Sequence, residues 1–171
     1  MQSTTGALAS AGQAIGLVVV GLLAGSLFGI WFGYDFTRYS PAAYLEVHQH
    51  AVSGLNDLLP YMGLAAIAAT VALAWRSRGR PIVMWSYVVA AIGLAVAGLV
   101  TRFGNQPINA LVMGWTSESL PPGWEDLRHS WWFWHGVRLS AVSVAFVALI
   151  SAVFRDRSSS AGLSRSDRAP A

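Results

Sequence analysis

Three short segments hold most of the side chains in this 171-residue chain that could do chemistry. The first reads Arg128-His129-Ser130-Trp131-Trp132-Phe133-Trp134-His135-Gly136-Val137-Arg138, with Arg128, Trp131, His135 and Arg138 at spacings of three, four and three. On a helix those positions share one face. An imidazole there can take up a proton near neutrality and a guanidinium can hold the anion left behind. Alternatively, Arg138 reaches outward to the membrane surface and His135 caps a helix end. The second segment, Thr101-Arg102-Phe103-Gly104-Asn105-Gln106-Pro107-Ile108-Asn109-Ala110, sets two asparagines four apart around a proline. Pro107 removes a backbone donor and frees a carbonyl near Phe103, and the amides can either line a polar pocket or satisfy that freed backbone. In the third, Tyr44-Leu45-Glu46-Val47-His48-Gln49-His50, the two histidines would lie about 200° apart on a helix and cannot chelate one ion, whereas Glu46 and His50 share a face. Glu46, His50 and His135 are therefore the alternative ligand set for a copper, iron or zinc ion; hydrogen-bonded structural histidine is the commoner case, and the primary expectation is no metal.

The elements that must position these groups follow from composition. With 54% hydrophobic and 11% charged residues, the chain is far more apolar than a soluble domain. Four stretches, about residues 13–34, 58–75, 82–100 and 131–154, approach the roughly 20 helical residues needed to cross a hydrocarbon core. None has an acid in its interior. A soluble bundle would need charged outer faces at helical spacing, and these segments lack them. The expected fold is all-α, an integral membrane four-helix bundle occupying residues 1–157. The absence of cysteine excludes disulfides, thiolate metal sites and dithiol redox chemistry. Ala24-Gly25-Ser26 resembles a signal-peptide cleavage site, but the first basic residue is Arg38, so the basic region such a peptide requires is missing and the segment is read as a helix.

All eleven basic residues are arginines. Seven, at 76, 78, 80, 155, 157, 165 and 168, stand against two acids in the loop after the second span and the tail; the remaining four face six acids. Short cytoplasmic segments favour positive charge, which places both termini in the cytoplasm, with the plasma membrane the expected site. Nucleic acid is not an expected partner, because arginines beside a membrane are explained by orientation and anionic lipid. The opposite side receives all four histidines and two long connections, about residues 35–57 and 102–130. Ser40 as N-cap and Pro41 at the first helical position predict an additional helix on that outer side, between the first two spans. Residues 158–171, rich in serine and arginine, are expected to form a disordered cytoplasmic tail. Gly21, Gly25, Gly29 and Gly33 mark one face of the first helix; close packing inside the bundle is the first reading, a homo-oligomer contact the second.

Asn105-Gln106-Pro107-Ile108-Asn109, Trp115, Trp124-Glu125-Asp126-Leu127-Arg128, Trp131, Trp134-His135 and Val137-Arg138 occur in an order and spacing that resemble the anthrone oxygenase family of small four-helix membrane proteins, also catalogued as a domain of unknown function. The His48-Gln49 pair is similar too. The resemblance implies oxidation of an electron-rich aromatic or phenolic small molecule by O₂ through a base-generated carbanion or enolate, without flavin, haem or an obligatory metal. It assigns His135 as base, Arg138 and Asn109 as its catalytic partners, and Asn105, Trp115, Arg128, Trp131, His48 and Gln49 to substrate binding. The expected partners are a small lipophilic aromatic molecule, O₂ and the bilayer. Two other functions fit the residues: a metal-dependent redox protein using Glu46, His50 and His135, or a non-enzymatic protein that binds a lipophilic ligand.

Overall fold

A computed structural model describes the backbone of residues 4–166 and the side chains of residues 10–157. Every element among the described residues is helical: α1 (Thr4–Gly33), a 3₁₀ turn (Phe36–Arg38), α2 (Pro41–Leu55), α3 (Leu58–Arg76), α4 (Pro81–Val100), a π-helical turn (Thr101–Asn105), α5 (Gln106–Val112) and α6 (Trp124–Ser166). Four stretches, Ser10–Arg38, Leu58–Arg76, Pro81–Val112 and Trp124–Arg157, are long and apolar enough to cross a membrane. Large apolar side chains such as Phe28, Trp85, Val147 and Phe154 stand exposed around the outside, as expected where hydrocarbon rather than water is the solvent.

The four long helices pack in the cyclic order α1, α3, α4, α6, each against two neighbours. Val20, Leu23 and Leu27 of α1 meet Leu73 and Ala74 of α3, Val83, Tyr87 and Ala90 of α4, and Val142, Ala145 and Leu149 of α6 in one core. Lipid supplies no hydrophobic force between helices, so tight fit must hold them. The close approaches fall at glycines other than those read from α1. A Cβ on Gly93 would stand 2.9 Å from the Ala141 carbonyl oxygen, and one on Gly136 would stand 3.0 Å from the Trp31 ring. Gly21 meets Phe146, but Gly25, Gly29 and Gly33 would place a Cβ within 4 Å of nothing. The packing role expected of that whole face thus belongs to Gly21 alone.

The end of the bundle bearing Arg76, Arg78 and Arg80 is pinned by polar groups. Gln13 donates to the Tyr87 hydroxyl at 3.1 Å and to the Asp156 carboxylate, which also pairs with Arg80. One carboxylate therefore ties α1, α4 and α6 together.

The opposite, histidine-bearing end is capped by α2. Ser40 Oγ accepts the Ala43 N–H and Pro41 opens the helix, the start foreseen from the sequence. A second apolar cluster of Phe36, Tyr44, Leu45, Ile108, Val112 and Trp131 fixes α2 there. The third span corrects the sequence reading, which ended it near residue 100. It continues through the π-helical turn and α5 to Val112. The Gln106 N–H reaches back to the Thr101 carbonyl, five residues away, and the widened turn accommodates Pro107, which cannot donate. The last span also begins earlier than expected, at Trp124, behind Gly123 with φ 78°, a conformation glycine adopts without strain. As a result the second long connection shrinks to residues 113–123. The α6 backbone runs to Ser166, into the segment expected to be a tail; positions 167–171 of that expectation lie outside the described residues.

Gly93→Ala is expected to lower the unfolding temperature in detergent by an amount equivalent to about 1–3 kcal/mol, because the methyl meets backbone. Gly29→Ala is expected to leave it unchanged. Equal melting of the two variants would contradict the packing contact at Gly93.

Candidate functional site

At the histidine end the helices part around a cavity of about 500 Å³. Its walls are apolar: Leu23, Leu27 and Ile30 from α1, Leu59 and Ile67 from α3, Leu94 and Ala97 from α4, and Val142 from α6. Its polar groups are His48, Asn56, Thr101, Arg102, Gln106, Asn109, Trp131 and Arg138, and no aspartate or glutamate lines it. A few polar groups set in an apolar concavity are the usual form of a small-molecule site.

Asn109 organises one side. Its Oδ1 lies 2.7 Å from Trp131 Nε1 and 3.1 Å from His48 Nε2. Indole N–H can only donate, so the shared atom is the acceptor oxygen, and His48 must donate to it through Nε2–H. The Nδ1 of His48 then carries a lone pair. That atom is buried without a hydrogen-bond partner, and the residue is 1% exposed. Burial, with the Asn109 hydrogen bond opposing it and the Arg138 charge assisting, pushes His48 down to about 4. It is a neutral imidazole that belongs to the cavity lining and keeps one ring nitrogen without a partner.

Arg138 occupies the other side. Nε and Nη2 lie 3.3 and 2.9 Å from His135 Nδ1, and the guanidinium sits 5.6 Å from the Trp131 ring centroid. Nη1 has no hydrogen bond, and no carboxylate pairs with this arginine among the described residues. A half-buried cation in a membrane segment is costly and marks a functional position by default. His135 holds it in place. Its Nε2 donates to the Leu27 carbonyl at 3.0 Å, so Nδ1 must be the acceptor that Arg138 occupies. Both ring nitrogens are engaged, the ring stacks on Trp131 at 5.1 Å and 4°, and the residue stands behind the wall rather than in it.

The remaining sequence-derived candidates serve the frame. Asn105 donates to the Trp131 carbonyl at 3.0 Å, which ties the π-helical turn to α6. Gln49 donates to the Val112 and Trp115 carbonyls at 2.8 and 3.0 Å, fastening α2 to the end of α5. Arg128 donates to the Tyr39 carbonyl at 3.0 Å and lies 4.6 Å from the Trp124 ring centroid. Trp115 packs at the edge of the α2 cluster and lines a surface groove with Glu46 and His50. Glu46 and His50 open onto that groove, while His135 lies inside the bundle, so the structure does not bring the three together. No group of three His, Asp or Glu side chains able to share an ion occurs among the described residues. Sequence reasoning passed over Gln106, Asn56 and Thr101, and all of the α3 wall. Gln106 stood inside the quoted Asn-Gln-Pro segment and was its available signal.

Residues 49–148 match the family described as anthrone oxygenase. That is more than half of the 171 residues. The chain belongs to the anthrone oxygenase family. The matched part of this anthrone oxygenase family member takes in Asn105, Asn109, Trp131, His135 and Arg138; it begins one residue after His48 and excludes α1. No curated protein and no solved structure matches the chain.

Asn109→Leu leaves two buried donors, on His48 and Trp131, without their acceptor. Each orphaned group costs about 1–3 kcal/mol, so a marked drop in unfolding temperature is expected in detergent. Unchanged melting would mean that the shared oxygen does not hold the site.

Proposed function

We propose that the protein is a membrane oxygenase that oxidises an electron-rich aromatic carbon acid, of the anthrone type, with O₂. The observation that carries this reading is the pairing, across one apolar cavity, of a buried imidazole nitrogen without a partner and a guanidinium without a carboxylate. The first accepts a proton; the second stabilises the anion so formed.

In this reading His48, rather than the His135 expected from the sequence, is the base. Its Nδ1 lone pair is free, whereas both nitrogens of His135 are engaged. Burial makes His48 a weak base, and Arg138 offsets this by stabilising the enolate oxygen, which makes the bound C–H more acidic. The free Asn109 amide N–H offers a second donor to that oxygen. Removal of a proton from the methylene carbon gives an enolate. One electron passes to O₂, the resulting radical and superoxide combine with a proton as a carbon-bound hydroperoxide, and loss of water leaves the quinone. The balance is one anthrone and one O₂ to one quinone and one water. Trp131 and Phe36 offer flat surfaces to the rings. The arginine end is placed in the cytoplasm and the cavity at the outer leaflet of the plasma membrane, on the charge asymmetry of the sequence.

Oxygen uptake on anthrone by detergent-purified protein, above the rate of spontaneous autoxidation, is the test. His48→Gln keeps a donor for Asn109 but has no base, and a fall of about 100-fold or more is expected. Loss of turnover in a well-folded His135→Asn protein, with His48→Gln fully active, would transfer the base to His135.

The neutral form of His48 is the active one, and its value of about 4 lies below the ordinary 6.5. Uptake, corrected for autoxidation, is therefore expected to stay level from pH 8 down to about 5.5 and to fall as pH approaches 4. A fall centred near 6.5 would show an unperturbed histidine instead.

A further inference from the structure

The cavity is covered on one side and reaches the outer surface of the bundle on another. On the water side it is covered by α2, and the Gln106 amide donates to Asn56 Oδ1, joining α5 to the α2–α3 junction. Between α3 and α4 the situation differs. The fully buried residues that α3 gives to the common core are Ala66, Leu73 and Ala74, whereas those of α4 run from Val83 to Ala97. Toward the histidine end α3 has no buried residue from position 58 to 65. There the cavity wall includes Pro60, Leu64, Gly98 and Arg102, residues that are themselves exposed on the outside of the bundle. Gly63 and Gly98 face this gap from the two helices, and a Cβ on either would meet nothing within 4 Å. Apart from Arg102, the surrounding surface is apolar: Leu64 is 65% exposed and Phe103 is 72% exposed. Such side chains stand in hydrocarbon, not in water.

We infer that the gap between α3 and α4, bordered by Gly63 and Gly98, is a lateral portal through which an uncharged, membrane-dissolved substrate passes from the bilayer into the cavity. The substrate class narrows accordingly, and this narrowing rests on the oxygenase reading above. A ligand that arrives through hydrocarbon arrives neutral, because a charge is costly there, and becomes anionic only beside Arg138. A compact polycyclic phenol or ketone qualifies. A conjugate carrying a sugar, a phosphate or a carrier protein does not.

The portal is testable without any substrate, because the chain contains no cysteine. Val142→Cys places one thiol on the cavity wall, and Leu94→Cys is a second reporter should the first fold poorly. Each protein in lipid nanodiscs is treated with pyrene maleimide, which partitions into lipid, or with a membrane-impermeant disulfonated stilbene maleimide. The lipid-soluble reagent is expected to label the cavity thiol at least tenfold faster. Adding Gly98→Trp is expected to slow that labelling at least tenfold, whereas Val89→Trp, on the same helix but outside the cavity lining, leaves the rate unchanged. Faster labelling from water, or indifference to Gly98→Trp, would overturn the portal. Failure of oxygen uptake with the labelling pattern intact would remove the oxygenase reading and leave the portal standing.

Discussion

One oxygen atom sets the site. Asn109 Oδ1 accepts from the Trp131 indole and the His48 imidazole together, and those three residues come from α5, α6 and α2. Both donors are buried, so the shared acceptor fixes both rings and the His48 tautomer. It is because Nε2–H is committed to Asn109 that the Nδ1 lone pair exists at all. The π-helical turn serves the same atom, since a chain ending at residue 100 would not carry Asn109 to this depth. Asn105, one turn earlier, locks the turn to the Trp131 carbonyl.

The two histidines divide the work by their hydrogen bonds rather than by their surroundings. Both are buried and both are neutral in their bonding pattern. His135 donates to a backbone carbonyl and accepts from a guanidinium; it spends both nitrogens on holding Arg138. His48 spends one. The difference follows from which neighbours are donors, and the helix-face argument that singled out His135 has no access to it.

The fold was legible because its signals are local and long. Apolar runs without interior acids gave the four spans, and Ser40-Pro41 gave the start of α2. The continuation to Val112 was not legible, since Pro107 reads as a break unless the turn before it widens, and that widening depends on contacts with α6. The α1 glycines misled for a similar reason: spacing marks a face, but the partner decides whether it is used, and the glycines pressed closest against neighbouring helices are Gly93, Gly104 and Gly136. At the site, Asn109, Trp131, His48 and Arg138 were named from sequence, and the α3 wall was not. Leu59, Gly63 and Ile67 look like any membrane helix, and only the three-dimensional arrangement gives them a role.

The knot of Gln13, Tyr87, Asp156 and Arg80 lies at the opposite end from the cavity. A bundle fastened by hydrogen bonds at one end and parted at the other behaves like a clothes-peg, with the spring at the arginines and the jaws at the histidines. The residues that fasten the bundle and the residues that line the cavity are therefore separate sets. A substitution among the jaws leaves the spring untouched, so the shape of the cavity and the assembly of the bundle can be altered one without the other.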